Sequence, residues 1–267
     1  MSLTPFSPSR LVAAAAAAFL CSAASAAQVE LTITVQNLAA PNSVSFAPLH
    51  FGVHNGTFDA FDIGTAPGAG IISVAEGGSG TVWQSDFAAA EPMATRGTVG
   101  GLLQPGEMRS LSVMVDTTMN QNFTFASMVV PSNDFFIGND SPTEYRIFDA
   151  AGNLLIGSIG VKANEIWDAG SEVFDPAAAA FVGNNDLRRD QNSVVAFNFA
   201  ELAAFNGLTT GTGYTFTSGL TADSDIYRIS FMAVAVPEPE TYALLSAGLL
   251  AVGWVARRRR TPEQAAG

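Results

Sequence analysis

The feature that most constrains this chain is an alternation of apolar and polar residues that recurs along much of its length. It is clearest in residues 29–38, 43–53, 109–115 and 123–130. A period of two places successive side chains on opposite faces, so each segment is predicted to be a β-strand with one buried face. Glycine, asparagine and proline separate these segments, as expected for turns.

Residues 194–200, 213–218 and 226–236 continue the strand pattern, and residues 145–161 are predicted to form a hairpin that turns at Ala151, Gly152 and Asn153. Helical patterns are confined to short alanine-containing stretches at residues 86–93, 175–182 and 201–207. Because strands and helices do not alternate regularly, a parallel α/β sheet is disfavoured. The expected fold class is all-β, with an antiparallel β-sandwich.

The first 27 residues are predicted to be a secretory signal peptide. Arg10 precedes a short apolar run at residues 11–20, and small residues follow up to Ala27. The run is too short to span a bilayer, which needs about 20 apolar residues. The single cysteine, Cys21, lies inside this segment, so the mature protein is predicted to have neither disulfides nor cysteine metal sites.

Residues 28–236 are predicted to form one strongly acidic domain. They contain 21 acidic and 7 basic residues, a net charge of about −14. Such a surface repels nucleic acid and anionic lipid and attracts cations, so nucleic-acid binding is not expected.

Residues 236–260 combine three features in a fixed order. Pro237, Glu238 and Pro239 come first, a hydrophobic helix is predicted at residues 242–256, and the cluster Arg257, Arg258, Arg259 and Arg260 follows. At 1.5 Å per residue the helix reaches about 22 Å, against a hydrocarbon core of about 30 Å, so it is interpreted as a marginal, transient membrane span. The arginines are predicted to hold residues 261–267 in the cytoplasm as a short tail.

This order resembles the bacterial PEP-CTERM sorting signal, over residues 237–260. The resemblance implies export from a Gram-negative bacterium that makes exopolysaccharide, with an intermediate tethered to the inner membrane. It also implies recognition by an exosortase-type membrane protease. The product is then expected at the cell surface or in the extracellular matrix.

Sequence patterns of common hydrolases are missing. G-x-S-x-G and H-E-x-x-H do not occur, and His50 and His54 are the two histidines. Four residues apart on a predicted strand, they would share one face, which leaves a metal site and hydrogen-bonded structural histidines as alternatives. The structural interpretation is favoured because no third ligand of the usual kind is apparent.

Three carboxylates lie in segments that follow predicted strands. Asp134 follows the strand at residues 123–130, and Asp168 and Glu172 follow the hairpin. Calcium takes about six to eight oxygen ligands, and these residues would supply three carboxylates if the two loops lie side by side. Further candidate ligands are Asn133, Asn139 and Asp175. Most loop aspartates form turns instead, and spacing alone favours that interpretation.

Five ordered motifs between residues 29 and 176 resemble the spondin domain of animal F-spondin and mindin and of many bacterial secreted proteins. They are LTITVQNL, FAPLHFGVHNGTFDAFDIGTAPGAGIISVAEGG, LLQPGEMRSLSV, ASMVVPSNDFFIG and WDAGSE. The resemblance implies an eight-stranded antiparallel β-sandwich similar to C2 domains, with a calcium ion bound by strand-end loops. It places Asp134, Asp168 and Glu172 at the acidic positions of two motifs, although animal members often have aspartate where this chain has Glu172.

These features predict an exported, non-enzymatic binding or adhesion module of the cell surface or exopolysaccharide matrix. Calcium is the expected cofactor, and an extracellular polysaccharide or a surface protein is the expected ligand. Two alternatives stay open: a purely structural matrix protein without a specific ligand, and a hydrolase that cleaves matrix polysaccharide with paired carboxylates.

Overall fold

The computed structural model describes residues 28–149, 151–236 and 239–259. The chain divides into one unit at Ala27–Val236 and another made of Met1–Ala26 and Pro237–Gly267. The predicted signal peptide, Pro237, Glu238, Arg260 and residues 261–267 lie outside the described residues.

The described residues form ten strands and three α-helices. In chain order these are β1 (Gln28–Asn37), β2 (Ser45–Phe46), β3 (Leu49–His54), α1 (Ala69–Gly77), α2 (Thr81–Ala90), β4 (Thr95–Val99), β5 (Met108–Asp116), β6 (Asn122–Val130), β7 (Phe135–Gly138), β8 (Ser158–Lys162), β9 (Trp167–Asp168), β10 (Asp225–Ala235) and α3 (Pro239–Arg259). Short 3₁₀ helices occur at Ala163–Glu165, Pro176–Ala178, Asn185–Leu187 and Phe199–Phe205.

The strands form two antiparallel sheets. Sheet 1 has the order β5-β1-β10-β8, and sheet 2 has the order β4-β3-β6-β7-β9, with β2 paired to β6. In sheet 1, Val29 of β1 lies opposite Ala235 of β10 on one side and Val115 of β5 on the other. The predicted antiparallel sandwich is confirmed.

Sheet 1 follows the predicted alternation. Leu31, Ile33 and Val35 of β1 are buried in the main core between the sheets. Thr32 and Thr34 point to the other face, where their hydroxyl groups pair with Ser112 and Ser110 of β5 at 2.8 Å. This face is therefore exposed to solvent, as the period of two requires, and it is polar along β1, whereas Met114 of β5 and Met232 and Val234 of β10 expose apolar side chains on it.

Sheet 2 is buried on both faces, which the alternation does not predict. Every residue of β3 and β6 is buried. Phe51 and Val53 belong to the main core, whereas Gly52 and His54 face α2, where His54 contacts the Phe87 ring at 5.1 Å. A second hydrophobic cluster, between this face and the two helices, includes Ile71, Val74, Trp83, Phe87, Ala126 and Phe136.

The helix α1 is the main element that the sequence pattern missed. Its sequence, AGIISVAEG, is rich in β-branched residues, which favour strands. Burial of Ile71 and Val74 under sheet 2 outweighs this preference. Gly78 ends the helix in a left-handed conformation with φ of 65°, so that its N–H donates to the last carbonyls of the helix. The predicted helical stretch at residues 86–93 overlaps α2 and is confirmed in part.

Several predicted strands are irregular. Residues 194–200 and 213–218 form isolated bridges, Asp168 with Ala196 and Thr209 with Thr215. The predicted hairpin turns at the expected place, where Asp149 accepts backbone hydrogen bonds from Ala151 and Asn153. Its second half, however, contributes β8, which pairs with β10. Residues 175–182 and 201–207 contain 3₁₀ helices in place of the predicted α-helical turns.

The helix α3 spans 21 residues of the C-terminal segment. Among the helices of the described residues, none combines the length and the apolar character that crossing a membrane requires. The marginal membrane span predicted at residues 242–256 is therefore not supported, because about 15 apolar residues fall short of the roughly 20 that a span needs.

The unit Ala27–Val236 contains its own core. The residues of all three buried hydrophobic clusters lie inside it, and both sheets close within it. Because a domain folds on the strength of its own buried core, this globular unit has what it needs to fold by itself.

Candidate functional site

The three predicted acidic residues lie on neighbouring segments at one end of sheet 2. Phe135 of β7 pairs with Asp168 of β9, and the Ala169 N–H donates to the Asp134 carbonyl at 3.1 Å. Gly170 turns the chain with φ of 70°, and a Cβ at this position would lie 2.7 Å from the Val194 carbonyl oxygen. This turn folds residues 170–172 back over Asp134.

Asp134 is buried and accepts hydrogen bonds from the loop above it. Its Oδ2 accepts from the N–H of Ser171 at 2.7 Å, the N–H of Glu172 at 2.9 Å and the hydroxyl of Ser171 at 3.1 Å. Burial raises the pKa of Asp134, although these donors and the charge of Arg188 oppose the rise. The carboxylate therefore fixes the loop that carries Glu172.

Glu172 is buried and is paired with a cation. Its Oε1 accepts from the Arg188 guanidinium, which also reaches the Glu76 carboxylate at 3.7 Å. Its Oε2 is buried and has no hydrogen-bond partner among the described residues. Burial raises the pKa of Glu172 even though Arg188 favours the charged form. An unpaired buried carboxylate oxygen is costly, so this oxygen is the feature of the region that a bound ligand would best satisfy.

Asp168 is half-buried, and its Oδ1 accepts from the Gly170 N–H at 2.6 Å. Burial, together with the neighbouring charge of Asp134, raises the pKa of Asp168 to about 7. Three carboxylates with one guanidinium leave an excess of negative charge here, an environment that attracts cations.

The donor set fits calcium in kind, because it offers carboxylate oxygens and no sulfur or nitrogen ligand. It does not fit in arrangement: no group of three histidine, cysteine, aspartate or glutamate side chains in the described part of the chain is gathered to hold a metal ion. Asp134 is bound to backbone N–H groups and Glu172 to Arg188, so both of these carboxylates already serve the protein.

The additional candidate ligands have structural roles. Asn133 exchanges two hydrogen bonds of 3.1 Å with the backbone of Asp175, and the Asp175 side chain caps the 3₁₀ helix that follows it. Asn139 accepts from the Phe125 N–H at 3.0 Å and donates to Thr124 and to the Ser141 carbonyl. Asn139 therefore belongs to a different network from Asp134.

The two histidines are structural, as the favoured interpretation predicts. His50 contacts Thr98 Oγ1 and the Gly78 carbonyl oxygen, both at 3.0 Å. His54 lies 2.9 Å from Glu91 through Nδ1 and 2.9 Å from Thr124 through Nε2. Burial lowers the pKa of both histidines.

Thr124, His54 and Glu91 are linked in space in the order of the hydroxyl, base and acid of a catalytic relay. The spacing of these residues along the chain could not reveal this arrangement. All three side chains are buried beneath α2, so substrate does not reach the hydroxyl group in this structure. Although burial opposes it, hydrogen bonds from His54 and from the backbone hold the pKa of Glu91 below its usual range. The trio is therefore a structural network between β3, β6 and the end of α2.

Comparison with known proteins adds one finding. No curated protein matches the chain. The resemblance to the spondin domain is not supported by a family match and stays a prediction. Residues 235–260 match the PEP-CTERM protein-sorting motif, which marks this chain as an exported protein handled by an exosortase-type system at the membrane.

Proposed function

We propose that this protein is an exported, non-enzymatic binding module of the cell surface or extracellular matrix. The observation that carries the proposal is the sorting motif at residues 235–260, which begins where β10 ends at Ala235. The globular unit ends at Val236, directly before Pro237, so cleavage after Val236 would leave the unit intact.

Sorting is tested on the full chain, produced in a host with an exosortase and in the same host without the enzyme. We expect mass spectrometry to show loss of the C-terminal segment only when the enzyme is present. Replacing Pro237, Glu238 and Pro239 with alanine should prevent the loss. The matched control replaces Thr261, Pro262 and Glu263, which lie outside the matched motif, and should be processed normally. Processing of both variants alike would contradict the proposal.

The binding role includes calcium at Asp134, Asp168 and Glu172. Support comes from the excess negative charge and the unpaired Oε2 of Glu172. Binding would require Glu172 to exchange Arg188 for the ion, because the guanidinium holds Oε1. A bound ion would supply a positive charge that bridges to an anionic sugar or to a carboxylate of a partner.

Calorimetric titration of calcium into the globular unit tests this part directly. We expect saturable binding that is abolished in the double variant Asp134→Ala/Asp168→Ala, with Asp186→Asn, an exposed loop aspartate, as the matched control. Absence of binding in the folded parent would instead support a structural matrix protein. The observation that favours this second candidate is the commitment of Asp134 to three donors of its own loop.

A further inference from the structure

A cavity of about 390 Å³ opens at the edge of the sandwich, and its described lining includes Trp167, which directly precedes Asp168, but not Asp134, Asp168 or Glu172. Its walls include Val161 of β8, the 3₁₀ residue Glu165 and Trp167 of β9, facing residues 140–145. β8 ends sheet 1 and β9 ends sheet 2, so the two sheets have no further strand to close this edge. The opening is thus a consequence of the topology.

Two aromatic side chains form part of the wall, and each is held by a second ring behind it. Tyr145 and Trp167 are half-buried and line the cavity. The Tyr145 ring lies 6.2 Å from Phe125, and the Trp167 ring lies 6.3 Å from Phe61. Rings fixed in this way offer apolar surface at little cost in conformational entropy.

The polar part of the wall is rich in hydrogen-bond acceptors and contains no basic residue. Asp140 uses Oδ1 to accept from the Ile63 N–H at 2.8 Å, and Glu165 uses Oε2 to accept from the Lys162 N–H at 2.6 Å. Each of these two carboxylates thus has one oxygen bound to the backbone, which orients the group. Glu144, the third carboxylate, is exposed.

Fixed aromatic rings beside oriented carboxylates match the chemistry of a sugar ring. The C–H face of a pyranose packs on aromatic surface, and its hydroxyl groups donate short hydrogen bonds to carboxylate oxygens. The volume lies near the lower end of the range of about 300 to 1,000 Å³ for small-ligand sites. The concentration of negative charge disfavours ligands that carry carboxylate or sulfate groups.

We propose that this cavity binds a pyranose unit of an extracellular polysaccharide that lacks acidic groups, with Trp167 and Tyr145 as the stacking surface and Asp140, Glu144 and Glu165 as the acceptors. The inference rests on the proposed function, for which it names a ligand class and a second site. Unlike the acidic loops, this site needs no calcium.

The test titrates the globular unit with four hexasaccharides, in EDTA, and follows tryptophan emission and calorimetric heat. The probes are a β-1,4-linked glucose hexamer, an N-acetylglucosamine hexamer, the deacetylated glucosamine hexamer and a galacturonate hexamer. Because Trp83 is buried and Trp167 lines the cavity, a change in emission should report on Trp167. We expect at least one of the first three probes to bind and the galacturonate hexamer not to bind.

Two pairs of variants connect any binding to the cavity. Glu144→Gln changes an exposed acceptor and should weaken binding about tenfold, whereas Glu30→Gln, an exposed glutamate of sheet 1, should have no effect. Trp167→Ala should abolish binding, and Trp167→Phe, which keeps a ring against Phe61, should retain part of it.

Failure of all four probes, tightest binding of the galacturonate hexamer, or equal affinity of Glu144→Gln and Glu30→Gln would overturn the proposal. Those outcomes leave the calcium titration and the sorting experiment unaffected, because EDTA removes calcium and the globular unit lacks the motif. Failure of the cavity is therefore distinguishable from failure of the proposed function.

Discussion

Glu91 accepts four hydrogen bonds, three from the segment that follows β3 and one from His54, the last residue of β3. Its Oε1 accepts from Thr57 and Phe58, both at 2.6 Å, and from His54 at 2.9 Å, and its Oε2 accepts from the Asn55 N–H at 2.8 Å. The buried Glu91 carboxylate thus accepts hydrogen bonds from the backbone N–H groups of the turn through which the chain leaves sheet 2. Its loss would leave these donors, including the buried His54 and Phe58, without this acceptor.

Glu91→Ala is therefore expected to lower the free energy of unfolding by roughly 3 to 5 kcal/mol, because a buried hydrogen-bonded charge is removed from one side only. Glu91→Gln, which keeps one acceptor oxygen, should fall between this variant and the parent. The measurement is urea unfolding of the globular unit, with the exposed Glu107→Ala as control. Equal stability of Glu91→Ala and Glu107→Ala would show that the network contributes little.

Because the pKa of Asp168 is raised, we expect the stability of the globular unit in metal-free solution to depend on pH. This pKa is raised from 3.8 to about 7 in the folded state, so between these values the folded state holds a proton that the unfolded state releases. Stability should therefore fall as the pH rises through this window. Asp168→Asn should remove this slope and, allowing for partial exposure, should gain roughly 1 to 2 kcal/mol at pH 8.

Urea unfolding at pH 5 and pH 8 in EDTA measures this effect, and Asp186→Asn serves as an exposed control. An unchanged pH slope in Asp168→Asn would mean that Asp168 ionises normally in the folded protein. Added calcium should reduce the slope of the parent if the ion binds at Asp168, since a cation favours the charged carboxylate.

The contact between β3 and α2 depends on the absence of a side chain at Gly52. A Cβ on Gly52 would overlap the Phe87 ring, which packs between the sheet and Phe58. The ring itself is fixed by Trp83 at 5.1 Å and by His54 at the same distance. Phe87 therefore has little freedom to move away.

Gly52→Ala should destabilise the globular unit by about 1 to 3 kcal/mol through overpacking. Gly160→Ala in β8 is the matched control, because a Cβ there meets no atom within 4 Å, and the change should be neutral or slightly stabilising. Thermal unfolding followed by circular dichroism compares the two. Equal melting temperatures would show that α2 adjusts its position freely.

At the level of the whole molecule, the globular unit is expected to be independent of the sorting segment. All three described hydrophobic clusters lie within Ala27–Val236. Removal of residues 237–267 should therefore leave the melting temperature within about 2 °C and the circular dichroism spectrum of the sheets unchanged. A large drop in melting temperature would show that the C-terminal segment stabilises the sandwich.

The reliability of the sequence predictions differed between the two sheets for a physical reason. Sheet 1 has one solvent-exposed and one buried face, so β1 carries the alternation that identifies it, as Leu31, Thr32 and Ile33 show. Sheet 2 is covered on its second face by α1 and α2, so every residue of β6 is buried. Its short partner β7 went unrecognised, as did β4, which pairs with β3. Burial of both faces removes the period on which the prediction depends.

The candidate sites show the same division. Sequence placed Asp134, Asp168 and Glu172 in two loops, and the pairing of β7 with β9 brings those loops together. The sequence could not show that Arg188, sixteen residues after Glu172, donates to Oε1 of that carboxylate. This contact depends on how residues 184–190 fold back. The cavity beside Trp167 was equally invisible, since it forms where two sheets end.

The sequence by itself determined the antiparallel strands with period two, the acidic character of residues 28–236 and the sorting motif, because each depends on local order or on composition. Tertiary structure alone decided which face of sheet 2 the helices cover, that His54 and Glu91 form a buried pair, and how the acidic loops are partnered. These features depend on contacts between residues far apart in the chain, whose free energy outweighs local preference and leaves no periodic trace in the sequence.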